Sequence, residues 1–327
     1  MVSLKDICSI IKEELDEVEA RLKDIFVTSP FSTTELAEDI LSTGGKRLRP
    51  SLLLLSAKAC GYKGKEDINL ATAIELVHTA TLIHDDVIDN ATLRRGKVSV
   101  NSKWGNHISI LVGDYLFSKA MSILITIKDF NILDIIAPAI SNTCMGEIIQ
   151  SINTSISQED VTEEQYLEII SQKTASLISA SCHCGAYLGG QNNGIDDIFR
   201  VYGQYIGIGF QIIDDILDFI GDERYTGKST CNDLYEKKIT LPIILFLKRA
   251  TNQDKARFKN IWDTECLTSK DIKWILNKLH YYQSFEYAKS KAVEFINRAK
   301  EKIIGLPDSE AKQALLLIGD YIIERNG

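Results

Sequence analysis

The chain has 327 residues, 45% of them hydrophobic, and a formal net charge of −8. That length can bury a large core, and the acidic balance excludes a general nucleic-acid binder, which needs a broad basic face. No basic-then-apolar leader opens the sequence, and no apolar run is expected to reach the roughly 18–20 residues of a membrane span. Seven cysteines at 8, 60, 144, 182, 184, 231 and 266 are an odd, scattered set. They fit a reducing, cytoplasmic setting.

In chain order, Ser32-x-x-Glu35 reads as a capping box. Gly44-Gly45-Lys46-Arg47-Leu48-Arg49-Pro50 is a glycine-initiated turn at a helix start, with Pro50 in the first turn of SLLLLSAKA. In LATAIELVHTATLIH, Leu70, Ala73, Ile74, Val77, Ala80 and Ile83 recur at helical spacing. The polar stretch 90–106 then breaks the pattern, as does the connector 151–160. Thr162-x-x-Gln165 is a second capping box. Cys182 and Cys184 stand at i and i+2, so they point to different faces, and no second Cys/His pair completes a zinc set. They are expected to be small core residues at a helix contact. A charged, glycine-containing stretch at 221–238 follows IIDDILDFI, and LPIILFL at 241–247 is short enough to be core. The five prolines, at 30, 50, 138, 242 and 307, lie mostly where a helix would start or stop. Period-two alternation is scarce and no solenoid-length repeat is visible. The expectation is one all-α domain over residues 1–327, with ten or more helices and little or no sheet.

Two acidic clusters interrupt these apolar helices. Asp85-Asp86-x-x-Asp89 and Asp214-Asp215-x-x-Asp218 each place two carboxylates one helical turn apart on one face. Like charges at that spacing cost about 0.2–0.5 kcal/mol, and more where burial lowers the dielectric. A cation would offset the repulsion. Oxygen-only ligands favour Mg²⁺ over zinc, and Mg²⁺ takes one or two carboxylates and completes its shell with water and phosphate oxygens. The bland alternative, a solvated acidic helix end, fits one such motif better than two.

Basic residues gather nearby: Lys46, Arg47 and Arg49 in the glycine turn, Arg94 and Arg95 after the first cluster, Lys173-Thr174 in a helix, and Lys228 and Lys238 after the second. Glycines permit close backbone approach, helix amino termini favour anions, and arginine grips phosphate oxygens bidentately. No GxxxxGK[ST] loop occurs. Arg47 is expected to be a solvated surface charge. Taken together, the others point to two phosphate sites, one with metal and one with cations alone.

These pieces resemble the trans-isoprenyl (polyprenyl) diphosphate synthases over essentially the whole chain. The matching segments, in order, are GGKRLRP (44–50), ELVHTATLIHDDVIDNATLRRG (75–96), GDYLFSKA (113–120), QKTA (172–175), GFQIIDDILDF (209–219), GKSTCNDLYEKKITLP (227–242) and the terminal IIERNG. The resemblance implies an all-α isoprenoid synthase fold around a deep cavity, usually in a homodimer, joining isopentenyl diphosphate to an allylic diphosphate. It implies three Mg²⁺ ions on Asp85, Asp89 and Asp214, supported by Asp86, Asp215 and Asp218. Arg94, Lys173, Thr174, Gln211, Lys228 and Lys238 would face the allylic diphosphate. Lys46, Arg49, His78 and Arg95 would hold isopentenyl diphosphate. Unaided, His78 reads as a satisfied core histidine. Where the family commonly has GKxxGxDLxEGK, Cys231 and Lys237 replace two glycines, so the loop is expected to be stiffer or differently closed.

In this family the residues before the first aspartate motif line the cavity floor, and a bulky aromatic five places upstream stops the chain early. Here that position is Ala80, next to Thr81, with Val77 a turn deeper. Small residues leave the tunnel open, and HTATLIHDD and the ERN terminus look like the long-chain members. The expected product is hexaprenyl to decaprenyl diphosphate, octaprenyl centrally, for quinone side chains. Peripheral contact with a membrane surface at product release is compatible with this. The rival enzymes are a short-chain farnesyl or geranylgeranyl diphosphate synthase and a class I terpene cyclase, against which GGKRLRP and DDILD both argue. A noncatalytic regulatory subunit would have no reason to keep both aspartate motifs.

Overall fold

The computed structural model describes residues 3–28, 35–42, 45–94, 96–153, 161–190, 194–221, 231–264 and 266–325. Its helices run, in order, α1 (Leu4–Ile7), α2 (Lys12–Val27), α3 (Glu35–Ser42), α4 (Leu48–Ala59), α5 (Glu66–Ile88), α6 (Val100–Trp104), α7 (Asn106–Ile127) and α8 (Phe130–Asn153). Next come α9 (Glu163–Ile170), α10 (Ser176–Leu188) and α11 (Ile195–Ile220). The remainder forms α12 (Asn232–Tyr235), α13 (Leu241–Arg249), α14 (Asn252–Trp262), α15 (Ser269–Tyr281), α16 (Ser284–Ile303) and α17 (Glu310–Glu324). The expected all-α class is correct. The stretch 90–106, read as irregular, holds a two-stranded antiparallel hairpin, β1 (Leu93–Arg94) and β2 (Lys97–Val98), then α6.

In helix α5, Leu70, Ala71, Ala73, Ile74, Leu76 and Val77 are all buried. A helix apolar all round is an interior helix, and α2, α4, α7 and α10 enclose this one. Helix α10 packs between α4 and α11. Small side chains allow that approach, and Cys182 and Cys184 are fully buried there as expected. Helix α11 lies against α16 and buries Phe199 and Tyr202, each side chain contributing roughly 1.5–3 kcal/mol. The hydroxyl of Tyr202 donates to the Leu315 carbonyl at 2.8 Å, tying α11 to α17. Pro242 stands in the first turn of α13, where no helical N–H is lost. Pro138 departs from that rule and sits inside α8.

The Thr162 box is formed, with the Gln165 N–H donating to the Thr162 hydroxyl. Ser32 of the other box lies outside the described residues. Helices α7 and α8 are long and apolar enough to cross a membrane by length and composition, unlike the expectation from sequence. Their serines, glycines and single charges break every apolar run, yet the average over 18 residues stays high. Both pack into the bundle, α7 along α5 and α8 beside α10.

Candidate active site

The first acidic cluster closes α5: Asp85 and Asp86 lie in its last turn and Asp89 is its cap residue. The second lies in the last two turns of α11, which ends at Ile220 and is capped by Gly221. A helix carboxyl terminus carries partial negative charge and favours cations. Both clusters therefore sit where carboxylates are least welcome, next to one another and against a dipole of the same sign.

The six aspartates divide by exposure. Asp86 is buried and receives bonds from the Arg94 guanidinium, at 2.7 Å from Nε. Asp215 is buried and accepts from the Tyr166 hydroxyl at 2.5 Å and from Gln211 Nε2 at 2.7 Å. Asp218 accepts the backbone N–H groups of Asn232 and Asp233 at 3.2 and 3.1 Å, anchoring α12. These three are occupied by the protein itself. Asp85 and Asp89 are half-buried and Asp214 is exposed; Asp89 pairs with Lys238 and Asp214 with Arg325.

Burial pushes the Asp85 carboxyl up to about 6; Lys173 opposes the rise, while Glu147 and Asp89 add to it. Burial likewise pushes Asp215 up to about 7, against the bonds from Tyr166 and Gln211 and with help from Asp214 and Asp218. Burial also raises Asp233, reinforced by Asp218 and Asp215. Each shift marks a carboxylate taken out of water, with neighbouring carboxylates adding to the rise. Among the described residues no three carboxylates, histidines or cysteines converge as a metal cage. A divalent ion here would complete its shell from diphosphate and water, which suits Mg²⁺.

Cations cross between the clusters. Lys238 Nζ reaches Asp89 at 3.0 Å and Glu236 at 2.6 Å. Burial alone would lower its pKa, but Asp89 and Glu236 together hold it above the ordinary lysine value. Lys173 pairs with Glu147 and donates to Gln150 at 2.6 Å. Thr174 donates to Gln211 at 2.7 Å, so Thr174, Gln211 and Asp215 form a chain toward the second cluster. Lys46 is exposed, 5.8 Å from the ring centre of Tyr321 on α17, and half-buried Arg49 lies in the first turn of α4. His78 is half-buried on α5, and its carbonyl accepts the Thr81 hydroxyl at 2.8 Å. Val77 and Ala80 are buried. Arg95 and Lys228 lie outside the described residues.

One expectation is overturned. Arg47 is no solvated charge: its side chain is largely buried, donating to Glu75 at 2.6 Å and pairing with Glu19. It caps α4 in the left-handed conformation, φ 52°. Sequence reading missed Glu75 because glutamate inside an apolar helix gives no clue to its distant partner. It also missed Tyr166, which reads as an apolar-face residue of α9, although a buried tyrosine hydroxyl needs a partner. Arg325 was quoted without a role. It follows α17, donates to the Phe210 carbonyl at 3.0 Å and pairs with Asp214 at 3.3 Å.

The polyprenyl synthetase family profile matches residues 32–279. The chain belongs to the polyprenyl synthetase family. It is 36% identical to a short chain isoprenyl diphosphate synthase of Methanothermobacter thermautotrophicus, covering 99% of each chain. It is 31% identical to the octaprenyl diphosphate synthase of Escherichia coli, covering 99% of this chain and 100% of that one. A polyprenyl synthase from Caulobacter crescentus, solved with calcium and isoprenyl diphosphate, superposes with a TM-score of 0.94 at 30% identity, over 99% and 98% of the two chains. The protein is thus a prenyltransferase of the polyprenyl diphosphate synthase type with the all-α isoprenoid synthase fold, and family and neighbour point to dependence on a divalent metal.

Proposed function

We propose that this polyprenyl synthetase family member repeatedly condenses isopentenyl diphosphate with an allylic diphosphate to make a long-chain all-trans product, octaprenyl centrally, for quinone side chains. The observation that carries the reading is the pairing of two aspartate clusters at helix carboxyl termini with Lys173, Thr174 and Lys238 between them. Asp85, Asp89 and Asp214 would hold three Mg²⁺, with Asp86, Asp215 and Asp218 fixing the surrounding protein. Bound Mg²⁺ would supply charge neutralisation for the departing diphosphate. Arg94, Lys173, Thr174, Gln211, Lys228 and Lys238 orient the allylic diphosphate, and Lys46, Arg49, His78 and Arg95 orient isopentenyl diphosphate. Fixed charges already aimed at the leaving group need no reorganisation when the allylic cation forms. The isopentenyl double bond attacks that cation, and the proton then lost goes to the released diphosphate, so the protein needs no general base.

Small side chains at Val77, Ala80 and Thr81 support the long product, since none of them is the bulky aromatic that would stop the chain early. The named relatives include both short-chain and octaprenyl enzymes, so product length is the finer part of the proposal. A homodimer is supported by the exposed apolar side chains of α7 and α8, among them Ile110, Leu111, Ile125, Phe130 and Ile148. Exposed apolar side chains on two successive helices favour a protein partner, and we assign that role to a second copy of this chain. Seven free cysteines support a reducing, cytoplasmic location.

Replacing Asp85 or Asp214 by alanine tests the site. Turnover with Mg²⁺ should fall by at least a hundredfold, roughly the cost of losing one preorganised electrostatic group, while thermal unfolding changes little. Normal Mg²⁺-dependent turnover in both variants would sink the metal assignment.

A further inference from the structure

Between α9 and α10 the chain winds as a π-turn, Ser171–Ala175, in place of a plain α-helix. A π-turn closes i→i+5 and inserts one extra residue, which costs backbone energy and recurs at functional sites. Here it carries Lys173 and Thr174. The extra residue lets consecutive side chains serve opposite walls: Lys173 turns to Glu147 and Gln150 on α8, while Thr174 turns to Gln211 on α11.

The neighbours are shaped to this turn. A Cβ on Gly146 of α8 would meet the Lys173 backbone nitrogen at 2.4 Å, and one on Gly207 of α11 would meet Ala175 Cα at 2.5 Å. Bare backbone on both sides clasps the turn. The Ser176 hydroxyl donates to the Gln172 carbonyl at 2.5 Å from within the chain, and from α11 Gln204 Nε2 donates to the Ser171 hydroxyl at 2.6 Å and lies 3.4 Å from the Ser171 carbonyl. Ser171 is the first residue of the turn, and its own N–H donates back to the Leu167 and Glu168 carbonyls of α9. Gln204 belongs to neither acidic cluster and lies two turns before Gln211.

We propose that Gln204 is a positioning residue for the transfer reaction, acting through Ser171 to hold the π-turn open so that Lys173 and Thr174 reach the two acidic clusters together. The proposal rests on the assignment of Lys173 and Thr174 to the allylic diphosphate. Its test uses Gln204→Met, which keeps the length and apolar stem but removes the donor, and Ser171→Ala, which removes the acceptor.

Binding of inorganic diphosphate with Mg²⁺, measured by calorimetry, should weaken in both variants, and kcat should fall by about ten- to a hundredfold, the scale of a misplaced binding group. The KM for isopentenyl diphosphate and the melting temperature should stay near wild type. In a double-mutant cycle, Gln204→Met should cost little more once Lys173→Ala is present, because groups acting in series are non-additive. Impaired Lys173→Ala beside unaffected Gln204→Met and Ser171→Ala would overturn the positioning role alone. Equal losses from Gln204→Met in both backgrounds, tracking a fall in melting temperature, would overturn it as well. An unaffected Lys173→Ala would overturn the underlying site assignment and this role with it.

Discussion

Replacing Arg47 by leucine should destabilise the protein by about 3–5 kcal/mol, the cost of stranding one partner of a buried ion pair. Glu75 is 3% exposed and lies inside α5, so it has no route to water once Arg47 is gone. Glu19 is about one-third exposed and rehydrates, so it adds little. Arg47 is held above the ordinary arginine pKa because Glu19 and Glu75 outweigh its burial. Urea unfolding followed by circular dichroism measures the change as a shift in midpoint at constant slope. Adding Glu75→Leu should recover most of the loss, since a buried pair replaced by apolar groups is often neutral. A loss below about 1 kcal/mol, the range of a surface pair, would refute the buried-pair reasoning and restore Arg47 to the solvated surface.

Ala80→Phe should shorten the product by blocking the path along α5, read as a shift in product mass; unchanged length would place the floor elsewhere. Asp67 is buried and its carboxyl is pushed up to about 6 from 3.8 by that burial. A raised carboxyl pKa means that stability is fullest below about 4 and is lost as pH rises through about 6. Asp67→Asn should therefore gain up to about 3 kcal/mol at neutral pH and nothing at pH 3, which unfolding at the two pH values will check. Lys237 has φ 55°; Lys237→Val should lower stability by about 1–2 kcal/mol through left-handed strain, whereas Lys237→Gly should leave it near wild type, both measured by thermal unfolding.

The helical class and the two aspartate clusters were legible because both rest on local spacing. Cys231 and Lys237 stand where the family commonly has glycine. Both residues adopt positive φ, 66° and 55°, the conformation that glycine suits at those places. What stayed hidden was long-range pairing. Arg47 looks like any surface cation until α4 and α5 are brought together, and Tyr166 looks like core until α9 meets Asp215. The hairpin at Leu93–Val98 is too short to leave a period-two signal. The π-turn leaves no pattern at all, because one extra residue within a helix changes no composition.

The most direct test supplies Mg²⁺, farnesyl diphosphate and labelled isopentenyl diphosphate and resolves the products by mass. A ladder of labelled chains ending between hexaprenyl and decaprenyl is the predicted result. Termination after at most one addition would contradict the long-chain assignment, and cyclised hydrocarbon without label, or no product, would contradict repeated condensation itself.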